Sequence, residues 1–150
     1  SLTGWAFMAL RSARLNGAYK TLKDPIIRAV YLVELESGKL EENDSRPPVD
    51  LLEEIFEAQE AADEYKCCED DAEEAKNIRL RLEAAKECFD AQRAGQRAAL
   101  EDLGERWDRA VDAGDEPPAE VIDKLRSVLG LRNYIDNILR SVNQALEEVP

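Results

Sequence analysis

The only thiols in the chain are Cys67, Cys68 and Cys88. An adjacent pair such as Cys67-Cys68 has the residue types for soft-metal binding or dithiol redox chemistry. A tetrahedral site needs more donors than this, and the sequence offers neither a histidine nor a second cysteine pair to complete one. Three thiols set in helical patterns read instead as ordinary cysteines of a reducing compartment.

Carboxylates are the other candidates, above all Glu53, Glu54, Glu57, Glu60 and Asp63. General acid–base work by carboxylates needs a buried pair whose environments push the two pKa values apart. A run of acids along one helix reads first as a solvated face. The absence of histidine removes the usual general base and the Glu-x-x-His pairs of di-iron bundles. No Gly-rich phosphate loop, nucleophile elbow or Cys-x-x-Cys pair occurs. These residues imply no enzyme, no resident cofactor and no metal, with a carboxylate-metal centre in a helical core as the remaining enzymatic alternative.

Thirty-three acidic against 20 basic residues give a net charge of −13. Phosphate backbones and anionic lipid surfaces are repelled by most of such a surface, so neither nucleic acid nor a membrane is an expected partner. No apolar run approaches the ~20 residues of a membrane span, and no basic-then-apolar signal pattern opens the chain, which points to the cytoplasm.

The elements that must position any site are helices. Ala, Leu, Glu and Arg dominate, and these residues lose little on entering a helix. Residues 6–23 place Phe7, Leu10, Leu15, Ala18, Tyr19 and Leu22 at helical spacing up to Asp24-Pro25, a capping residue followed by a first-turn proline that opens a second helix ending near Gly38. Residues 39–49 turn polar and end in Pro47-Pro48, marking a loop. A third helix runs from about Asp50 to Lys66 with Leu51, Leu52, Ile55, Phe56 and Ala62. After Glu69-Asp70-Asp71 comes a fourth helix of about thirty residues or more, through Ile78, Leu82, Phe89, Leu100 and Trp107. Beyond Gly114 and Pro117-Pro118, the most regular stripe, from Val121 through Leu125, Tyr134, Ile138 and Val142 to Leu146, predicts a fifth helix reaching almost to the C-terminus. The fold class is all-α: an antiparallel three-helix bundle over residues 50–150, preceded by a helical corner over residues 1–38.

Two segments carry a resemblance. The first is Ser12-Ala13-x-Leu15-Asn16-x-Ala18-Tyr19-x-Thr21-Leu22-x-Asp24-Pro25-x-x-Arg28-Ala29-x-Tyr31-Leu32, which resembles the end of a J-domain. The second is Leu51-Leu52-Glu53-x-Ile55. Together they resemble the iron-sulfur co-chaperones called HscB in bacteria and Jac in mitochondria, over roughly residues 10–66 and more loosely 118–147. Residues 1–9 match nothing in that family.

The resemblance implies a three-helix domain that holds an IscU-type scaffold protein and presents it to a DnaK/HscA-type ATPase chaperone. The chaperone contact requires a His-Pro-Asp loop, which a chain without histidine lacks, so that partner is implied only where a complete J-domain exists in the parent protein. The implied scaffold-binding patch falls on Leu51, Leu52, Ile55, Gln59 and Tyr134, with Gln59 and Phe56 at positions where relatives often carry acids. Leu15, Ala18, Tyr19, Leu22, Tyr31 and Leu32 are expected to pack the helical corner. The alternative function is self-association into a homo-oligomer without scaffold binding.

Overall fold

A computed structural model describes residues 2–40, 46–68 and 71–148, with the side chains of residues 2, 3 and 7 outside the description. Among the described residues the protein is all-α, with five helices and no strand. They are α1 (Leu2–Lys23), α2 (Pro25–Ser37), α3 (Val49–Cys67), α4 (Ala72–Asp112) and α5 (Ala119–Glu148). Part of the expected loop, residues 41–45, lies outside the described residues, as do Glu69 and Asp70 and the side chain of Phe7.

The boundaries follow from local chemistry. Asp24 caps α2, its Oδ1 accepting from the backbone N–H groups of Ile26 at 2.8 Å and Ile27 at 3.3 Å. Pro25 occupies the first turn, where its missing N–H and fixed φ do no harm. Gly38 ends α2 at φ 87°, in the left-handed region that glycine enters without a Cβ clash, and its N–H donates to the Glu34 carbonyl. Asp71 plays the capping part at α4, accepting from the N–H groups of Glu73 and Glu74. Gly114, at φ 73°, turns the chain between α4 and α5.

The chain forms two compact units, one of Ser1–Leu40 with Ala99–Arg126 and the other of Glu41–Ala98 with Ser127–Pro150. Residues 72–98 of α4 belong to the second unit and 99–112 to the first, and residues 119–126 of α5 belong to the first and 127–148 to the second. In the first unit Ala29, Val33, Leu100, Leu103, Val121, Ile122 and Leu125 are buried. Arg28 forms an ion pair there with Asp108, and the Arg126 guanidinium donates to the Ser37 carbonyl at 3.2 Å.

Packing of the corner departs from expectation. Leu15, Ala18, Tyr19, Leu22 and Tyr31 are exposed, and Leu32 is half-buried. The apolar residues of α1 stand at helical steps, but such a row is buried only where a neighbouring element covers it.

The second unit has a core of the expected kind. Ala58, Ala61, Ala62 and Tyr65 from α3 meet Ile78, Leu82 and Phe89 from α4 and Ile135, Ile138, Leu139, Val142 and Ala145 from α5. Alanines on α3 let the helices approach closely, while Phe89 and Leu82 fill the space between them. Burying such side chains is worth about 1.5–3 kcal/mol each relative to exposure.

Candidate functional site: an outward face on α3 and α5

Polar contacts across the second unit fix how its three helices lie. Gln92 of α4 donates to Glu54 of α3 at 3.0 Å, Arg81 pairs with Glu64 at 3.5 Å, and Arg79 donates to the Tyr65 hydroxyl at 3.1 Å. As the α3 number rises the α4 number falls, so α3 and α4 run antiparallel. Arg93 pairs with Asp136 at 3.0 Å, which sets Asp136 of α5 beside the level of Glu54. Five residues further along both helices, the Ser141 hydroxyl donates to Gln59 Oε1 at 2.9 Å. α3 and α5 therefore run parallel, with Gln59 opposite Ser141.

That register locates the residues implied as a docking patch. Leu52 is seven residues before Gln59 and Tyr134 seven before Ser141, two turns in each helix, so Leu52 and Tyr134 come to the same level on adjacent helices. Both are half-buried. Leu51 and Ile55 are also half-buried, and both pack against the core. The adjacent leucines thus divide as a 100° step requires, Leu51 leaning inward and Leu52 lying outside the core cluster. Gln59 is occupied at both ends of its amide, accepting from Ser141 and donating to Asp63 at 3.1 Å.

Two further apolar residues on this side of α3, Val49 and Phe56, are each 68% exposed. Phe56 falls four residues after Leu52 and Val49 three before it, so the signal was present in the sequence as a second helical row beside the core row. The exposed acids Glu53 and Glu60 flank that row.

The described carboxylates and thiols of the second unit have the following surroundings. Glu54 and Glu64 are engaged by Gln92 and Arg81 on α4. Glu54 and Glu57 also line a cleft of about 300 Å³, together with Arg81 and Cys88, over an apolar floor of Ala58, Ala61, Ala85 and Phe89. Among the described residues no group of three or more His, Cys, Asp or Glu side chains is gathered as a metal would need. The three cysteines are free; Cys67 and Cys88 are exposed and Cys68 is half-buried. Desolvation, then the nearby carboxylates of Glu74 and Asp71, hold the Cys68 thiol above its ordinary value, the opposite of what a reactive thiolate requires. Among the described residues, no helix is long and apolar enough to cross a membrane.

Comparison with known proteins gives no matching family model and no matching solved structure. Curated proteins do match, among them two co-chaperone protein HscB homologs of Vibrio cholerae serotype O1, one from the classical Ogawa strain and one from the El Tor Inaba strain. Each alignment spans 130 residues, 85% of this chain and 68% of the relative. At 28% identity, and with an all-α fold, the chain is similar over most of its length to HscB co-chaperone homologs.

Proposed function

We propose that this protein is a co-chaperone module of iron-sulfur cluster assembly whose second unit docks an IscU-type scaffold protein and makes or breaks no bonds itself. The observation that carries the reading is the pairing of Leu52 and Tyr134 at one level of adjacent helices, on a chain similar to HscB homologs. Both side chains keep part of their apolar surface in water, and a partner that covers it gains the hydrophobic term that the fold leaves unused. In this reading residues 50–150 are the HscB-like C-terminal domain, whose docking face lies on the part that belongs to the second unit, and residues 1–38 are the end of a J-domain. Presentation to a DnaK/HscA-type chaperone belongs to a parent protein that carries the His-Pro-Asp loop. The cytoplasm, a reducing compartment, fits three free cysteines.

Calorimetric titration with a purified IscU-type scaffold tests the reading. Full burial of an apolar side chain contributes about 1.5–3 kcal/mol, so Leu52→Ala and Tyr134→Ala should each weaken binding several-fold or more while circular dichroism stays unchanged. Undiminished affinity in both variants would remove the patch from consideration.

A second reading, self-association, is favoured by α1. Trp5, Met8, Leu15, Tyr19 and Leu22 form an exposed row with steps of three and four residues, broken by the single polar step at Ser12. Rows of this spacing are the seams along which helices pair. Sedimentation over a concentration series separates the readings, because a protein that stays monomeric at high concentration excludes the second.

A further inference from the structure

Facing away from the core, α3 carries an apolar row that the implied patch only touches. Val49, Leu52 and Phe56 stand at i, i+3 and i+7, the spacing that stacks side chains along one helix face. Val49 and Phe56 are the exposed ends of the row and Leu52 its half-buried middle. The core row of Leu51, Ile55, Ala58, Ala62 and Tyr65 occupies the other side of the helix. Glu53 and Glu60, both exposed, run along one edge of the outer row, and Asp63, held by Gln59, ends it.

Apolar anchors at i, i+3 and i+7 are the way a helix presents itself to a groove on another protein. The charge along the edge says what kind of groove. Acids bordering the anchors favour a rim of lysine and arginine and disfavour an acidic one. We propose that α3 enters its partner as the inserted element, with Val49, Leu52 and Phe56 seated in an apolar groove that is rimmed by basic side chains on the scaffold. This rests on the docking function proposed above and adds a specificity determinant to it. Phe56 is the largest of the three and as exposed as Val49, so a scaffold surface that is basic but flat leaves it in water and binds weakly.

The test is calorimetric titration of a purified IscU-type scaffold with the full chain and its Val49→Ala, Leu52→Ala, Phe56→Ala, Phe56→Leu and Glu53→Gln/Glu60→Gln variants. Val49, Phe56 and the two glutamates are exposed, so these variants keep the fold, and thermal melts verify it. The expected result is affinity about tenfold or more lower for Phe56→Ala, most of it kept in Phe56→Leu, and a weaker salt dependence for the double glutamine variant. Loss of binding in Leu52→Ala with Phe56→Ala and Val49→Ala equal to the parent would overturn the groove and leave the docking function standing. A parent chain that binds no scaffold overturns both. Self-association of the parent chain that Phe56→Ala abolishes would assign the row to a second copy of this protein and overturn the proposal as well.

Discussion

Two regions of this molecule have apolar residues at the same helical spacing and meet opposite fates. In the second unit, Leu82, Val142, Ala62 and Ala145 are wholly buried, because α3, α4 and α5 each offer a stripe to the other two. In α1, Trp5 is 79% exposed and Leu15 71%, although they too stand in a row of three- and four-residue steps. Periodicity fixes which face of a helix is apolar, whereas burial depends on what arrives to cover that face. The free energy of the fold is therefore concentrated in the three-helix core, and α1 relies on its short-range helical bonds and on its junction with α2.

The comparison is broken most easily at the centre of the core. Phe89 is 1% exposed, between α3 and α5. Phe89→Ala removes its contacts and leaves a cavity, at an expected loss of about 3–5 kcal/mol read from denaturant unfolding. A loss under ~1 kcal/mol would mean that the core collapses around the gap and does not set the stability of the fold.

The next effect belongs to the junction of α1 with α2. Asp24 satisfies two otherwise unpaired N–H groups at the start of α2. Asp24→Ala should destabilise the first unit by about 1 kcal/mol, and Asp24→Asn by less, because the amide oxygen still accepts. Equal losses for the two variants would point to the charge of Asp24 and its attraction to the helix dipole as the main term.

Much of this was legible in the sequence because helix signals are local. Asp24-Pro25, Gly38 and Gly114 act through their own backbone geometry, and each ends or opens a helix where its chemistry requires. The core stripe of α5 was equally clear, since Val121, Leu125, Ile138 and Val142, all buried, need only one buried face to be recognised. What stayed hidden depends on contacts between distant residues. The register that brings Leu52 level with Tyr134 comes from Gln59 meeting Ser141 and Arg93 meeting Asp136, and no periodicity encodes such pairs. The exposure of Leu15, Tyr19 and Tyr31 was hidden for the same reason. Val49 and Phe56 could have been found by following the second row of α3 as carefully as the first.

Glycines sharpen the comparison further. Gly17 in α1 and Gly95 in α4 are helical, and a Cβ added at either meets open space. Alanine at each should strengthen its own helix by about 0.5–1 kcal/mol. In α4, which shares in the core, Gly95→Ala should raise the global unfolding midpoint. In α1, Gly17→Ala should instead slow amide hydrogen exchange locally and leave the midpoint almost unmoved, because a helix whose apolar face is exposed opens without unfolding the rest. A rise in midpoint as large as that of Gly95→Ala would show that α1 unfolds together with the core.

The smallest effect is expected where the sequence looks most like a core. Leu15 and Tyr19 lie four residues apart on α1, and the ring of Tyr19 has the Lys23 ammonium 5.5 Å from its centre as a neighbour. Replacing both by alanine removes large apolar side chains that are already in water, so the double variant should change stability by less than ~0.5 kcal/mol, and alanine's helix propensity works in its favour. The same two changes in the three-helix core would unfold the protein. A loss above ~1 kcal/mol that grows with protein concentration would mean that the α1 row is covered in solution by another copy, and the sedimentation profile of the parent chain would then shift with concentration while that of the double variant would not.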